Sequence, residues 1–358
     1  MRILPIDRCT SGMVLAKNIY NDDGRILLAR NVTLTDSLIR RLAVLGISRV
    51  FIRDERLDDV EPSAAISEQT RIKAVAMMRE LMTEEIFSTQ NRIQIKRLRD
   101  KAESLFWDVY REVSHHETTL IMLNDVYTKD AYTYTHSFHV GVYAIALGVQ
   151  LGLAKEDLFQ LGIGTFLHDI GKLKIPAEIL NKPGRLTAEE FAEMRRHTIY
   201  GYDALRDVFD VPLLSAHVAL QHHERLDGSG YPRGLKRSEI HPFGKLVAIA
   251  DVYDALVSQR VYKEAYLPHV AMEVLYSGSG TQFDTDYLTS FRRTVALYPV
   301  GATLILDGGA EAVVVDNNVA LPERPVVRVL FDDVSGKATP YEIDLSKELQ
   351  RQIVRVEN

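Results

Sequence analysis

Histidines and aspartates recur through the middle of the chain in a pattern that metal chemistry would use. His136 lies in Thr135-His136-Ser137, and His168 and Asp169 are adjacent in Phe166-Leu167-His168-Asp169-Ile170-Gly171-Lys172. His197 stands further on, His222 and His223 are followed by Glu224, and Asp251 lies in Ala248-Ile249-Ala250-Asp251-Val252-Tyr253-Asp254. Each is embedded in apolar, helical sequence, where a polar side chain needs a partner. One such histidine is most simply a hydrogen-bonded core residue. Five, with one or two aspartates, favour metal ligation. Imidazole nitrogen with carboxylate oxygen suits Fe, Mn, Ni, Co or Zn. An aspartate between two histidine-rich groups can bridge two ions, and ions about 3.5–4 Å apart can activate water and clamp a phosphate. Lys172 follows His168 by four residues and Asp169 by three, so helical spacing predicts nearly the same face. Beside a metal cluster its charge would suit a phosphate substrate; the alternative is a surface lysine near a helix end.

The elements that must position these residues are helical. From about residue 116 to 298 there is little strand-like alternation. Thr187-Ala188-Glu189-Glu190 is a capping box that starts a helix expected to run to His197. Pro212 and Pro242 suit first-turn positions of helices. Residues 61–104 read as a helical linker, with Ile72, Val75, Ala76, Met78, Arg79 and Met82 at helical spacing, and a homodimer through this linker is one expectation. Residues 1–60 read as a small α+β module. Met13-Val14-Leu15-Ala16 and Arg25-Ile26-Leu27-Leu28 flank a hairpin turn at Asn21-Asp22-Asp23-Gly24, Thr35 caps a helix ended by Gly46, and Val50-Phe51-Ile52 is a strand. Residues 299–358 read as a small β-rich segment built on 312–315, 326–330 and 353–354. The fold class is therefore mainly α, a helical catalytic bundle over 105–298 with these smaller parts around it.

Composition narrows the chemistry. The 358 residues are 46% apolar and 26% charged, ordinary for a globular protein, which excludes disorder. Lys and Arg number 43 against 49 Asp and Glu, a net charge of −6 that argues against duplex nucleic acid as a partner. The lone Cys9 excludes a disulfide framework and a Cys-rich zinc site. Met1-Arg2-Ile3-Leu4-Pro5 opens without an apolar signal core, and the apolar stretch Val140 to Leu153 is too short for a membrane span, so the expectation is a cytoplasmic protein without membrane insertion.

His168-Asp169, with His136 upstream and Asp251 downstream, resembles the HD phosphohydrolase superfamily. The stretch His222-His223-Glu224-Arg225-Leu226-Asp227-Gly228-Ser229-Gly230-Tyr231-Pro232 is similar to the defining segment of its HD-GYP subfamily. The resemblance covers about residues 105 to 300. It implies an all-helical phosphodiesterase that hydrolyses cyclic di-GMP to pGpG, and in some members on to GMP, with a metal-bridging hydroxide as nucleophile. His136, His168, Asp169, His197, His222, His223 and Asp251 match metal ligands, with Asp169 as the bridge. Lys172 would contact the scissile phosphate, Gly230-Tyr231-Pro232 would line the pocket, and Arg260 and Lys263 match phosphate-binding positions. A glutamate stands four residues before the first histidine in trinuclear members; here that place is Tyr132, a poor ligand for a hard divalent ion. Two metals are therefore expected, Fe or Mn first and Zn, Ni or Co as alternatives. A catalytically weak sensor or adaptor, and a mixed cyclic GMP-AMP as substrate, are the competing readings. Asp254 could hydrogen-bond a ligand or sit on a helix surface, and Glu224 is equally open. His115, His116, His139, His217, His241 and His269 read as structural.

Overall fold

A computed structural model of the chain describes residues 1–21, 25–60, 65–81, 92–115, 126–127, 132–207, 211–258, 265–332 and 340–357. They form two compact units, one of Met1–Ala65, Thr118–Ala131 and Val295–Asn358, the other of Ile66–Glu117 and Tyr132–Thr294.

In the first unit, β1 (Arg2–Pro5) pairs antiparallel with β4 (Arg49–Ile52). β2 (Ile19–Tyr20) pairs antiparallel with β3 (Ile26–Leu28) and in parallel with β5 (Val126–Tyr127). Helix α1 (Asp36–Val44) is capped by Thr35, whose hydroxyl accepts from the Leu38 N–H. The hairpin arm expected at Met13–Ala16 lies instead at β2. Val14 and Leu15 make isolated bridges to Thr33 and Ile52, while the Asn21 side chain accepts from the Arg25 N–H next to β2. The turn residues 22–24 lie outside the described residues.

The β-branched runs near the end become β7 (Glu311–Asp316), β8 (Val326–Phe331) and β10 (Ile353–Val356). With β6 (Thr303–Leu306) and β9 (Tyr341–Asp344), which the sequence pattern did not reveal, they form an antiparallel sheet ordered β10-β6-β7-β8-β9. Its core, with Leu304, Val313, Val327 and Ile343, also takes in Leu57 and Val60 from the N-terminal segment. The Ile3 N–H donates to the Gly301 carbonyl at 2.8 Å, and Arg2 pairs with Glu311 at 2.6 Å. The N-terminal segment therefore joins this core at Leu57 and Val60, while Leu15, Leu34, Leu42 and Val50 belong to a second core within the N-terminal module itself.

The second unit is helical: α2 (Glu68–Leu81), α3 (Arg92–His115), α4 (Tyr132–Gln150), α5 (Lys155–Phe166), α6 (Ala177–Leu180), α7 (Ala188–Arg195), α8 (His197–Asp207), α9 (Leu213–Gln221), α10 (Pro242–Val257), α11 (Pro268–Ser277) and α12 (Thr285–Arg292). Helix α2 buries Ala74, Val75, Met77, Met78 and Leu81 within this unit and leaves Ile72 outside. Glu112 on α3 accepts from Ser67 and Thr70. Also on α3, Trp107 lies nearly parallel to Phe159 with ring centroids 6.0 Å apart, and the Lys155 ammonium sits 4.7 Å above it. Val140, Val142, Ala144, Ile145 and Leu147 are buried around α4, as expected of a helix apolar on most sides. Each of these valine, isoleucine and leucine side chains contributes about 1.5–3 kcal/mol by leaving water. His241 caps α10, its Nδ1 accepting from the Phe243 N–H, and Pro242 occupies the first helical position. No helix among the described residues is long and apolar enough to cross a membrane.

Candidate metal centre

The helical unit brings seven polar side chains together. His136 projects from α4 and Asp251 from α10. His168 and Asp169 follow the end of α5, just before a short 3-10 turn at Ile170–Lys174. His222 closes α9, and His223 is the next residue. His197 opens α8 rather than ending the preceding helix as expected: α7 stops at Arg195, and the His197 Nδ1–H donates back to the Met194 carbonyl at 2.8 Å.

Two groups result, Asp169-His197-His222-His223 and His136-His168-Asp251, with the candidate ligand atoms of each group within 4.8 Å of one another. Asp169 joins them. Its Oδ1 lies 3.5 Å from His197 Nε2 and 3.8 Å from His222 Nε2. Its Oδ2 lies 3.4 Å from His168 Nε2 and 3.7 Å from His136 Nε2. Asp251 also reaches both groups, with Oδ1 3.1 Å from His136 Nε2 and Oδ2 3.9 Å from His223 Nδ1.

Hydrogen bonds fix which ring nitrogen faces the cluster. The Nδ1 atoms of His168 and His222 donate to the carbonyls of Thr165, at 2.7 Å, and Val218, at 3.1 Å. That leaves each Nε2 lone pair turned inward, as a metal ligand requires. Among the described residues, His168 Nε2 and Asp169 Oδ1 are buried without a hydrogen-bond partner, and His197 Nε2 faces His222 Nε2 at 3.3 Å. Divalent cations would satisfy these atoms, so the residues fit a metal centre. The electrostatics agree for three of the imidazoles. Burial pushes His197 down to about 4 and His223 to about 3, and holds His222 well below its usual value, so their lone pairs are free at neutral pH. Burial opposes the charge on Asp169, but Lys172 beside it, with His168 and His197, holds its carboxyl well below the usual carboxylate range. Burial likewise opposes a charge on His136, yet bonds to Asp251 and Asp254 outweigh it and raise that histidine to about 9.

The fold decides the roles of three supporting residues. Asp254 is buried and accepts from His136 Nδ1 at 2.7 Å, settling its open role in favour of orienting a candidate ligand. His139, expected to be structural, meets the other oxygen of Asp254 at 3.1 Å. Asp254→Asn, which removes a carboxylate behind His136, is expected to weaken metal binding about 10–100-fold. A chelator competition titration checks this, and unchanged affinity would refute it. Glu224 is the third: its buried carboxylate accepts from the Arg233 and Leu235 N–H groups, both at 2.8 Å, and so ties down the Gly230-Tyr231-Pro232 loop. Gly230 is needed there, because a Cβ would lie 2.4 Å from the Arg225 nitrogen. The Tyr231 ring rests on His223, with centroids 4.7 Å apart. Lys172, although on a 3-10 turn instead of an α-helical face, reaches Asp169 and pairs with it.

Arg260 and Lys263 lie outside the described residues, as do His116 and the side chain of Tyr132. His217 packs beside Tyr202, away from the cluster.

Residues 101–287 match the HD domain family, and residues 303–358 match the KOW domain associated with HD domain. A cyclic di-GMP phosphodiesterase of Pseudomonas aeruginosa is 34% identical over 286 residues, 80% of this chain and 66% of that protein. A cyclic di-GMP phosphodiesterase of Thermotoga maritima is 37% identical over 195 residues, 54% of this chain and 53% of that protein. A 3′3′-cGAMP-specific phosphodiesterase of Vibrio cholerae is 37% identical over 175 residues, 49% of this chain and 33% of that protein. The chain thus spans between 33% and 66% of the length of these relatives. With the family match extending over more than half of its residues and falling on the helical unit that carries the histidine-aspartate cluster, the chain belongs to the HD domain family.

Proposed function

We propose that the chain is a metal-dependent phosphodiesterase that opens cyclic di-GMP to pGpG. The observation that carries this reading is Asp169, placed between two groups of inward-facing imidazoles and paired with a lysine. The names of the relatives support the same substrate class. His136, His168 and Asp251 would hold one ion and His197, His222 and His223 a second, with Asp169 shared. Iron or manganese is proposed, since the ligands are nitrogen and oxygen without thiolate. Bound there, the ions would polarise a phosphate oxygen and make water acidic enough to react at neutral pH.

The chain's own residues do the rest. The Lys172 ammonium, partly exposed and held by Asp169, can donate to a non-bridging phosphate oxygen and offset charge gained in the transition state. The Asp254 bond keeps the His136 ring oriented. The Tyr231 ring against His223 shields one flank from water. Arg260 and Lys263 are assigned to the second phosphate on sequence alone. The reading places the protein in the cytoplasm, where such a nucleotide would be met. Dimerisation through residues 61–104 belongs to it too, and a monomer in light scattering would remove that element.

Protein loaded with Mn or Fe(II) is expected to convert cyclic di-GMP to pGpG, and chelation of the metal to stop the reaction. Chromatography of products from cyclic di-GMP, 3′3′-cGAMP and cyclic di-AMP checks this. Faster turnover of 3′3′-cGAMP would reassign the substrate, and no turnover of any of the three would sink the reading.

A further inference from the structure

Next to the candidate metal centre lies a group of planar side chains that the metal chemistry does not use. Phe191 and Arg195 are four residues apart on α7, hence neighbours on one helix face. The Arg195 guanidinium carbon lies 5.3 Å from the Phe191 ring centre and 5.9 Å from that of Tyr231. Phe191 and Tyr231 meet edge to face at 6.2 Å. Tyr231 in turn lies 4.7 Å from His223 and 6.3 Å from His197, between centroids. A row of π-faces and one cation therefore runs outward from the cluster.

A surface cation–π pair that only stabilised the fold would have reason to cover its ring. Phe191 nevertheless remains 47% exposed. The neighbouring Arg196 is paired with Glu193 at 2.9 Å, whereas Arg195 has no carboxylate partner among the described residues. Its donors are free to meet something from outside.

We infer that Phe191, Arg195 and Tyr231 form the subsite for one nucleobase of the diester, and that Arg195 selects guanine. The inference rests on the phosphodiesterase reading and deepens it. A phosphate held at Asp169 places its nucleoside one ribose away, toward this row. Aromatic faces accept any base by stacking. The guanidinium fork adds discrimination, because guanine presents two adjacent acceptors, O6 and N7, whereas adenine presents a donor in place of O6.

The test is steady-state kinetics on the Mn-loaded chain, all 358 residues, with metal content measured for each variant. Arg195→Ala and Phe191→Ala are each expected to raise KM for cyclic di-GMP about tenfold, or about 1.4 kcal/mol. The value of kcat should stay within about threefold, the signature of lost binding rather than lost chemistry. GMP should inhibit the wild type more strongly than AMP, and Arg195→Ala should lose that preference. Arg195→Lys should not restore it, since an ammonium lacks the fork. Arg206→Ala, an equal charge change at a residue paired with Asp207, serves as the control and should behave as wild type. An unchanged KM and an unchanged GMP preference in Arg195→Ala, with the wild type active, would overturn this inference alone. Absence of turnover by the wild type itself would overturn the phosphodiesterase reading, and the subsite with it.

Discussion

Replacing Asp169 by alanine is expected to lower cyclic dinucleotide turnover by about 10³-fold or more, because charge stabilisation at the phosphate would be lost with the shared ligand. The reason lies in its position. Both carboxylate oxygens are used, Oδ1 toward His197 and His222 and Oδ2 toward His168 and His136, so no neighbouring group can take over. Asp251 spans both groups but stands closest to His136 and does not reach His197 or His222 within 4.0 Å. Removing Asp169 also leaves the Lys172 ammonium without its partner, and that uncompensated positive charge repels cations. Metal content should fall together with turnover. Elemental analysis and product chromatography on the same sample check both, and a variant that kept its metal and its rate would refute the shared-ligand assignment.

The second large effect is expected at Gly171. A Cβ there would lie 1.9 Å from the His197 carbonyl oxygen and 2.5 Å from the Gly201 nitrogen. Both are backbone atoms, so no rotamer change relieves the clash. Helix α8 must move away from the turn that follows His168 and Asp169, and it takes His197 with it. Gly171→Ala is expected to destabilise the helical unit by about 3 kcal/mol or more, the upper range for overpacking. That corresponds to a fall in Tm of roughly 6–12 °C for a unit of this size. Calorimetry checks it. An unchanged Tm would mean that the contact between the turn and α8 is looser than the structure shows.

The candidate site was far more legible in the sequence than its support. His136, His168, Asp169, His197, His222, His223 and Asp251 could be named because ligation requires particular residue types, and these stand out in apolar helices. Asp254, His139 and Glu224 could not be assigned, because their roles depend on partners 118, 115 and 9 to 11 residues away. A carboxylate one helical turn after Asp251 looks the same whether it faces His136 or solvent. The shift of His197 from the end of one helix to the start of the next is a local break that the capping box at Thr187 gives no sign of. In the terminal unit, β7 and β8 were visible as β-branched runs within strands of six residues, whereas β6 and β9 have only four residues each and no such run. The joining of the N-terminal segment to the C-terminal sheet rests on contacts such as Ile3 with Gly301, which no periodicity encodes.

Trp107 is the only tryptophan in the chain, and it belongs to the helical unit, stacked beside Phe159 beneath the Lys155 ammonium. Selective excitation of the indole therefore sees one unit and is blind to the other. Emission followed during denaturation should report the loss of the bundle that carries the histidine-aspartate cluster, while far-ultraviolet dichroism sums both units. Where the two curves separate, the terminal unit and the bundle melt independently, and a single two-state fit no longer describes the protein. The native sequence thus carries its own optical label for the part of the molecule that holds the candidate metal centre.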